Sequence, residues 1–312
     1  MALLRINATP QGLRLHHSQR PPWPSISRAA DGEGPVVIMI HGFRFAPGAG
    51  IDCPHQHILS ATEEPRHRTA LSWPRALGFE QSGQAPGLGI AFGWNALGSL
   101  WNAFKEAANV GQQLASLINQ LNLRAPHRPI HLIGHSMGAR VILSALPHAS
   151  AASVTRILLL APAEYRDTAA RALNTPAGRT AEVFNITSRE NDLYDFLLET
   201  LIQVDQPDRI MGSTPPKAPN LLSIQLDDPE TLSALARRGL RLAPAQRRIC
   251  HWSAYLRPGV FDLYRALLFD AHRHPLGMLR AALPQEMQPR WSRFRPVLPA
   301  KPTLPLRPIA PS

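Results

Sequence analysis

The chain has 312 residues, enough for one large α/β domain or two small ones. Hydrophobic residues make up 44% and charged residues 18%, which excludes a disordered composition. The formal charge of +11 suits nucleic acid or anionic lipid, but no RNA- or DNA-binding module accompanies it, so a solvated arginine-rich surface is expected and no nucleic-acid partner.

The opening residues, Met1 to Pro10, lack the roughly 7–15-residue apolar core of a secretory signal. No apolar run approaches the ~20 residues of a spanning helix. The expected compartment is the cytoplasm, without a membrane span, and there Cys53 and Cys250 are expected as reduced thiols.

Residues 3–6 and 13–16 flank the turn signal Thr9-Pro10-Gln11-Gly12 and read as an antiparallel strand pair. Val36-Val37-Ile38-Met39-Ile40 is a continuous apolar run, rich in β-branched residues, as expected of a strand covered on both faces. Residues 43–88 are long, weakly periodic and rich in Gly, Pro and His, an irregular insertion expected near the site. Further strands are expected at 89–92, 130–133, 155–160, 182–187 and 247–250.

Helical stripes lie between them. Leu97, Leu100, Phe104, Ala108, Gly111, Ala115, Ile118 and Leu121 recur at three- and four-residue spacing. Others run from Val141 to Leu146, from Leu193 to Leu201 and from Phe261 to Leu268. This alternation predicts a mostly parallel twisted sheet of about eight strands, with helices on both faces. Residues 1–283 form that domain. Residues 284–312 carry eight prolines in 29 residues and form a basic tail expected to be disordered.

Gly134-His135-Ser136-Met137-Gly138 sits between an expected strand and an expected helix. A tight strand-to-helix turn holds a serine in a strained conformation and lifts its hydroxyl above the sheet edge. Gly134 and Gly138 leave room for the neighbouring strand and helix. The bland alternative is a serine capping its own helix. His41-Gly42-Phe43 follows the 36–40 strand. The amides of Phe43 and Met137 are the candidate pair of oxyanion donors. Gly42 permits close approach, and His41 is expected to be a structural, hydrogen-bonded histidine. Arg44 suits a substrate anion or a surface role equally.

Together these motifs resemble the α/β-hydrolase superfamily over residues 34–284. More narrowly, they are similar to uncharacterised bacterial serine hydrolases of that fold. The resemblance implies the chain order nucleophile, acid, histidine. The acid is expected after the second strand past the nucleophile strand, and the histidine after the last strand. Asp192 fits the acid and also fits a helix cap; Asp195 and Glu190 are its nearest substitutes, with Asp195 expected one turn into the helix and too far along to aim inward. His251 fits the base, because His272 and His274 are expected at a helix end. In this reading Ser136, Asp192 and His251 form the triad of a serine hydrolase of carboxylic esters or thioesters. No metal or cofactor is expected. An acyltransferase, or an inactive binding protein using the tail, is the alternative.

Trp94, Tyr194 and Trp252 are the expected pocket walls. Cys250 beside His251 is a poor Cys–His nucleophile, since neighbours on a strand point to opposite faces. His55, His57 and His67, with Asp52 and Cys53 nearby, match no strong zinc pattern and read as polar loop histidines.

Overall fold

A computed structural model describes residues 3–18, 20–61, 71–79, 86–202, 204 and 208–288. The expected tail lies outside these residues from position 289 on, as do His67 and parts of the 43–88 insertion.

The strands are β1 (Leu3–Thr9), β2 (Gly12–Leu15), β3 (Val36–Ile40), β4 (Leu88–Gly93), β5 (Ile130–His135), β6 (Arg156–Leu160), β7 (Glu182–Thr187) and β8 (Leu221–Gln225). They form one sheet in the order β2-β1-β4-β3-β5-β6-β7-β8. Among the described residues, only the edge hairpin strand β2 is antiparallel to its neighbour.

The helices, in chain order, are α1 (Trp23–Ala30), α2 (Trp73–Ala76), α3 (Leu100–Arg124), α4 (Met137–Ala145), α5 (Arg166–Leu173), α6 (Pro176–Thr180), α7 (Asp192–Leu201), α8 (Pro229–Ala236), α9 (Ser253–Leu256), α10 (Val260–Phe269) and α11 (Leu276–Ala282). Alternate residues of β3 feed two cores, as the two-residue period of a strand requires. Val36, Ile38 and Ile40 pack with α3 and α4. Val37 and Met39 face the opposite core, with Tyr264 and Leu267 of α10 and Leu279 of α11.

One expectation at the carboxyl-terminal side needs correction. Residues 247–250 are not a strand: Arg247, Arg248 and Ile249 are exposed, and no strand or helix includes them. Two adjacent arginines leave that short segment without a face to bury. The last strand is β8, where Leu221, Leu222 and Ile224 are apolar and Asp228 caps the following helix, accepting from Thr231 N at 2.8 Å. Glu190 pins the histidine-bearing coil instead. Its main-chain carbonyl accepts from Cys250 N at 2.8 Å, its side chain accepts from Arg247 N at 3.2 Å, and it pairs with buried Arg257.

The insertion is only partly at the site. Phe43, Arg44 and Phe45 reach the cavity beside Ser136, while Trp73 and Phe79 are buried in the core on one face of the sheet. His55 donates to Asn7 Oδ1 at 2.7 Å, and His57 packs on Phe45. Among the described residues, no group of three His, Cys, Asp or Glu side chains is placed to hold a metal ion, and no helix is long and apolar enough to cross a membrane.

Candidate active site

Ser136 stands between β5 and α4 with φ 54° and ψ −120°, a conformation costly for any residue with a side chain. Three main-chain hydrogen bonds hold it there. Ser136 N donates to Leu160 O at 2.9 Å, and its carbonyl accepts from Ala139 N at 3.0 Å and Ala163 N at 3.1 Å. The neighbouring backbone is crowded. A Cβ on Gly138 would lie 2.5 Å from Ile40 O, and one on Gly134 would lie 2.7 Å from Gly138 O. On Gly42 it would meet His135 O at 2.9 Å and the Ser136 Cβ at 3.0 Å. The sequence Gly-His-Ser-Met-Gly therefore suits this turn for steric reasons.

Gly42 and Phe43 lie beside the serine because β3 and β5 are neighbours in register, with Ile40 opposite Gly134. Met137 opens α4, so its amide belongs to the first turn, where helix N–H groups lack a helical acceptor. Both residues line the same cavity as Ser136. His41 is fully buried and does not line it. Its Nδ1 donates to Gly42 O at 2.8 Å, its Nε2 accepts from Trp94 N at 3.0 Å, and burial lowers its pKa to about 4.

His251 enters the cavity from the coil before α9. Tyr194 stacks on its ring, with centroids 4.6 Å apart. Its Nδ1 donates to Asn191 Oδ1 at 2.6 Å. Burial, and then the neighbouring His135, lower its pKa well below 6.5, so the ring is neutral at pH 7. His135 is itself buried with a pKa lowered to about 4, and its Nε2 donates to the carbonyl of His251 at 2.9 Å. The Ser136 hydroxyl and the His251 ring share the cavity wall, and among the described residues no hydrogen bond joins them.

Asp192 is the expected partner of the imidazole, but Asn191 occupies that place. Asn191 is the N-cap of α7 with a helical backbone, φ −89° and ψ −8°. One position along a helix turns the side chain by about 100°, so Asp192 faces elsewhere. It borders a separate small groove with Thr187, Arg189, Ser213 and Gln225. Asp195, four residues on from Asn191, shares the inward face and lines the cavity. Its Oδ1 accepts from Asn191 Nδ2 at 2.9 Å. The spacing Asn191–Asp195 is readable as one helix face, but only with the helix phase known.

The cavity has a volume of about 380 Å³. Its walls are mostly apolar, with Phe45, Leu100, Leu197, Leu198, Leu201 and Trp252 among them. Tyr194 and Trp252 line it, whereas Trp94 is fully buried, stacked on His41 behind the site. His274 lies by the amino-terminal ends of the central strands, where its carbonyl accepts from Arg156 at the start of β6.

Sheet order, connectivity and the strained serine turn make this an α/β-hydrolase fold. A family described as "Protein of unknown function (DUF726)" matches residues 50–197. No curated protein matches the chain. Solved structures similar to it include an acetylxylan esterase at 13% identity, covering 76% of this chain and 97% of that one, TM-score 0.34. Another is a lipase B from Aspergillus fumigatus at 13% identity, covering 82% and 59%, TM-score 0.39. A third is the catalytic core domain of an acetylxylan esterase from Trichoderma reesei at 10% identity, covering 80% and 98%, TM-score 0.32.

Proposed function

We propose that this chain is a serine hydrolase of carboxylic esters or thioesters, with Ser136 as nucleophile and His251 as general base. The observation that carries the reading is the strained Ser136 turn opening into the same apolar cavity as the neutral His251 imidazole. The histidine tautomer supports it: Nδ1 is engaged by Asn191, which leaves Nε2 unprotonated to accept a proton.

In the reaction, Ser136 Oγ bonds to the acyl carbon as His251 Nε2 takes its proton. The carbonyl electrons move to oxygen, where the amides of Phe43 and Met137 receive the charge. The tetrahedral centre collapses, the bond to the leaving oxygen or sulfur breaks, and His251 returns the proton to it. Water then attacks the acyl-serine by the same path. Contacts between nucleophile and base are often long in free enzymes and tighten when substrate binds. A mostly apolar cavity favours an ester whose acyl or alcohol part is itself apolar.

A fluorophosphonate probe and a panel of p-nitrophenyl esters test the reading. Wild type should label and turn over, while Ser136→Ala should lose labelling and at least about 10³-fold in kcat. Equal labelling of the two proteins removes Ser136 from the chemistry.

A further inference from the structure

We infer that Asp195 is a positioning residue for the proposed active site, acting on His251 through the Asn191 side chain and not by direct contact. The inference rests on the hydrolase reading only for its kinetic consequence. The relay itself is structural: His251 Nδ1 to Asn191 Oδ1 at 2.6 Å, then Asn191 Nδ2 to Asp195 Oδ1 at 2.9 Å.

An asparagine is a weak third member by itself. It carries no charge, and its amide can turn over and present Nδ2 to the ring. A ring facing that donor would protonate at Nε2 and lose its basic atom toward Ser136. Asp195 removes the ambiguity. Its carboxylate only accepts, so it takes the Nδ2 end of Asn191 and turns Oδ1 toward the imidazole. Asn191 and Asp195 are both almost fully buried, at 3% and 4% exposure, so water competes little with these bonds. The i, i+4 spacing on one helix face holds the donor and acceptor together.

The relay is tested by exchanging its two ends. In Asp195→Asn the new amide can donate to Asn191 Oδ1 and turn the Asn191 amide over. Expected is a fall in kcat of about 10²-fold or more with KM within about threefold. The double variant Asn191→Asp/Asp195→Asn puts a carboxylate at position 191. That carboxylate accepts from both His251 and the new amide at position 195, and kcat should recover to within about tenfold of wild type. A group serving only as filler would show no such rescue. Wild-type turnover in Asp195→Asn, or a well-folded double variant no better than that single one, overturns the inference. If Asp195→Asn melts far below wild type, the double variant decides by the same criterion. The ring tautomer gives a second readout, in the Ser136→Ala background and independent of catalysis. Nitrogen NMR of His251 should show protonation at Nδ1 when Asp195 is intact and at Nε2 in Asp195→Asn. If the chain proves not to be a hydrolase, this tautomer exchange still tests the relay, and an unchanged tautomer overturns it.

Discussion

The His135 imidazole donates from Nε2 to the main-chain carbonyl of His251 at 2.9 Å, joining the strand that ends beside Ser136 to the coil that carries His251. The two rings also pack, with centroids 4.5 Å apart. The residue between the glycine and the serine of the turn therefore holds the coil that carries His251. His135→Ala leaves this part-buried carbonyl without its donor, a loss of about 1–3 kcal/mol. Expressed in the active geometry, that is a drop in kcat of roughly 10- to 100-fold on a p-nitrophenyl ester, with KM little changed. Wild-type kcat in this variant would show that the coil is held without it.

Asn191 meets the His251 ring, while its neighbour Asp192 borders a separate groove. Asn191→Ala should lower kcat by about 10²- to 10⁴-fold, because the imidazole loses the acceptor that fixes its tautomer. Asp192→Asn should stay within about threefold of wild type. Steady-state kinetics on the two variants decide, and the reverse order would restore Asp192 as the partner of His251.

Low pH should act on both activity and stability. Burial holds His251 well below 6.5, so kcat/KM should be flat at neutral pH and fall only as pH drops below the ordinary histidine range. His41, His131 and His135 are each lowered to about 4, chiefly by burial. Their folded values lie below the roughly 6.5 of an unfolded chain. Between these values the unfolded chain binds protons that the folded one refuses, so stability is full above about pH 6.5 and declines toward pH 4. Melting at pH 5.0 should come about 5 °C or more below melting at pH 7.5. An unchanged Tm would mean that these rings take up protons without loss of fold.

The cavity volume should set acyl-chain preference. Leu201 lies on α7 and borders the cavity of about 380 Å³. Leu201→Trp adds bulk there and should reduce kcat/KM for long-chain esters by about tenfold or more, while acetate and propionate esters stay near wild type. A uniform loss across the ester panel would place the bound chain elsewhere.

The sequence by itself determined the framework. The apolar run of β3, the Gly-His-Ser-Met-Gly turn and the alternation of strand and helix were legible because each reflects a local constraint. A doubly covered strand must be apolar on both faces, and a crowded turn tolerates only glycine two positions to either side of its serine. Tertiary structure decided the rest. Residues 247–250 have the look of a strand until the sheet fills that edge with β8, and Trp94 that of a pocket wall until its ring stacks behind His41. Which of Asn191, Asp192 and Asp195 faces His251 depends on the phase at which α7 begins, and a shift of one residue rotates a helical side chain by about 100°. Local pattern specifies which elements form, while the angular position of a side chain on its element is fixed only when that element docks.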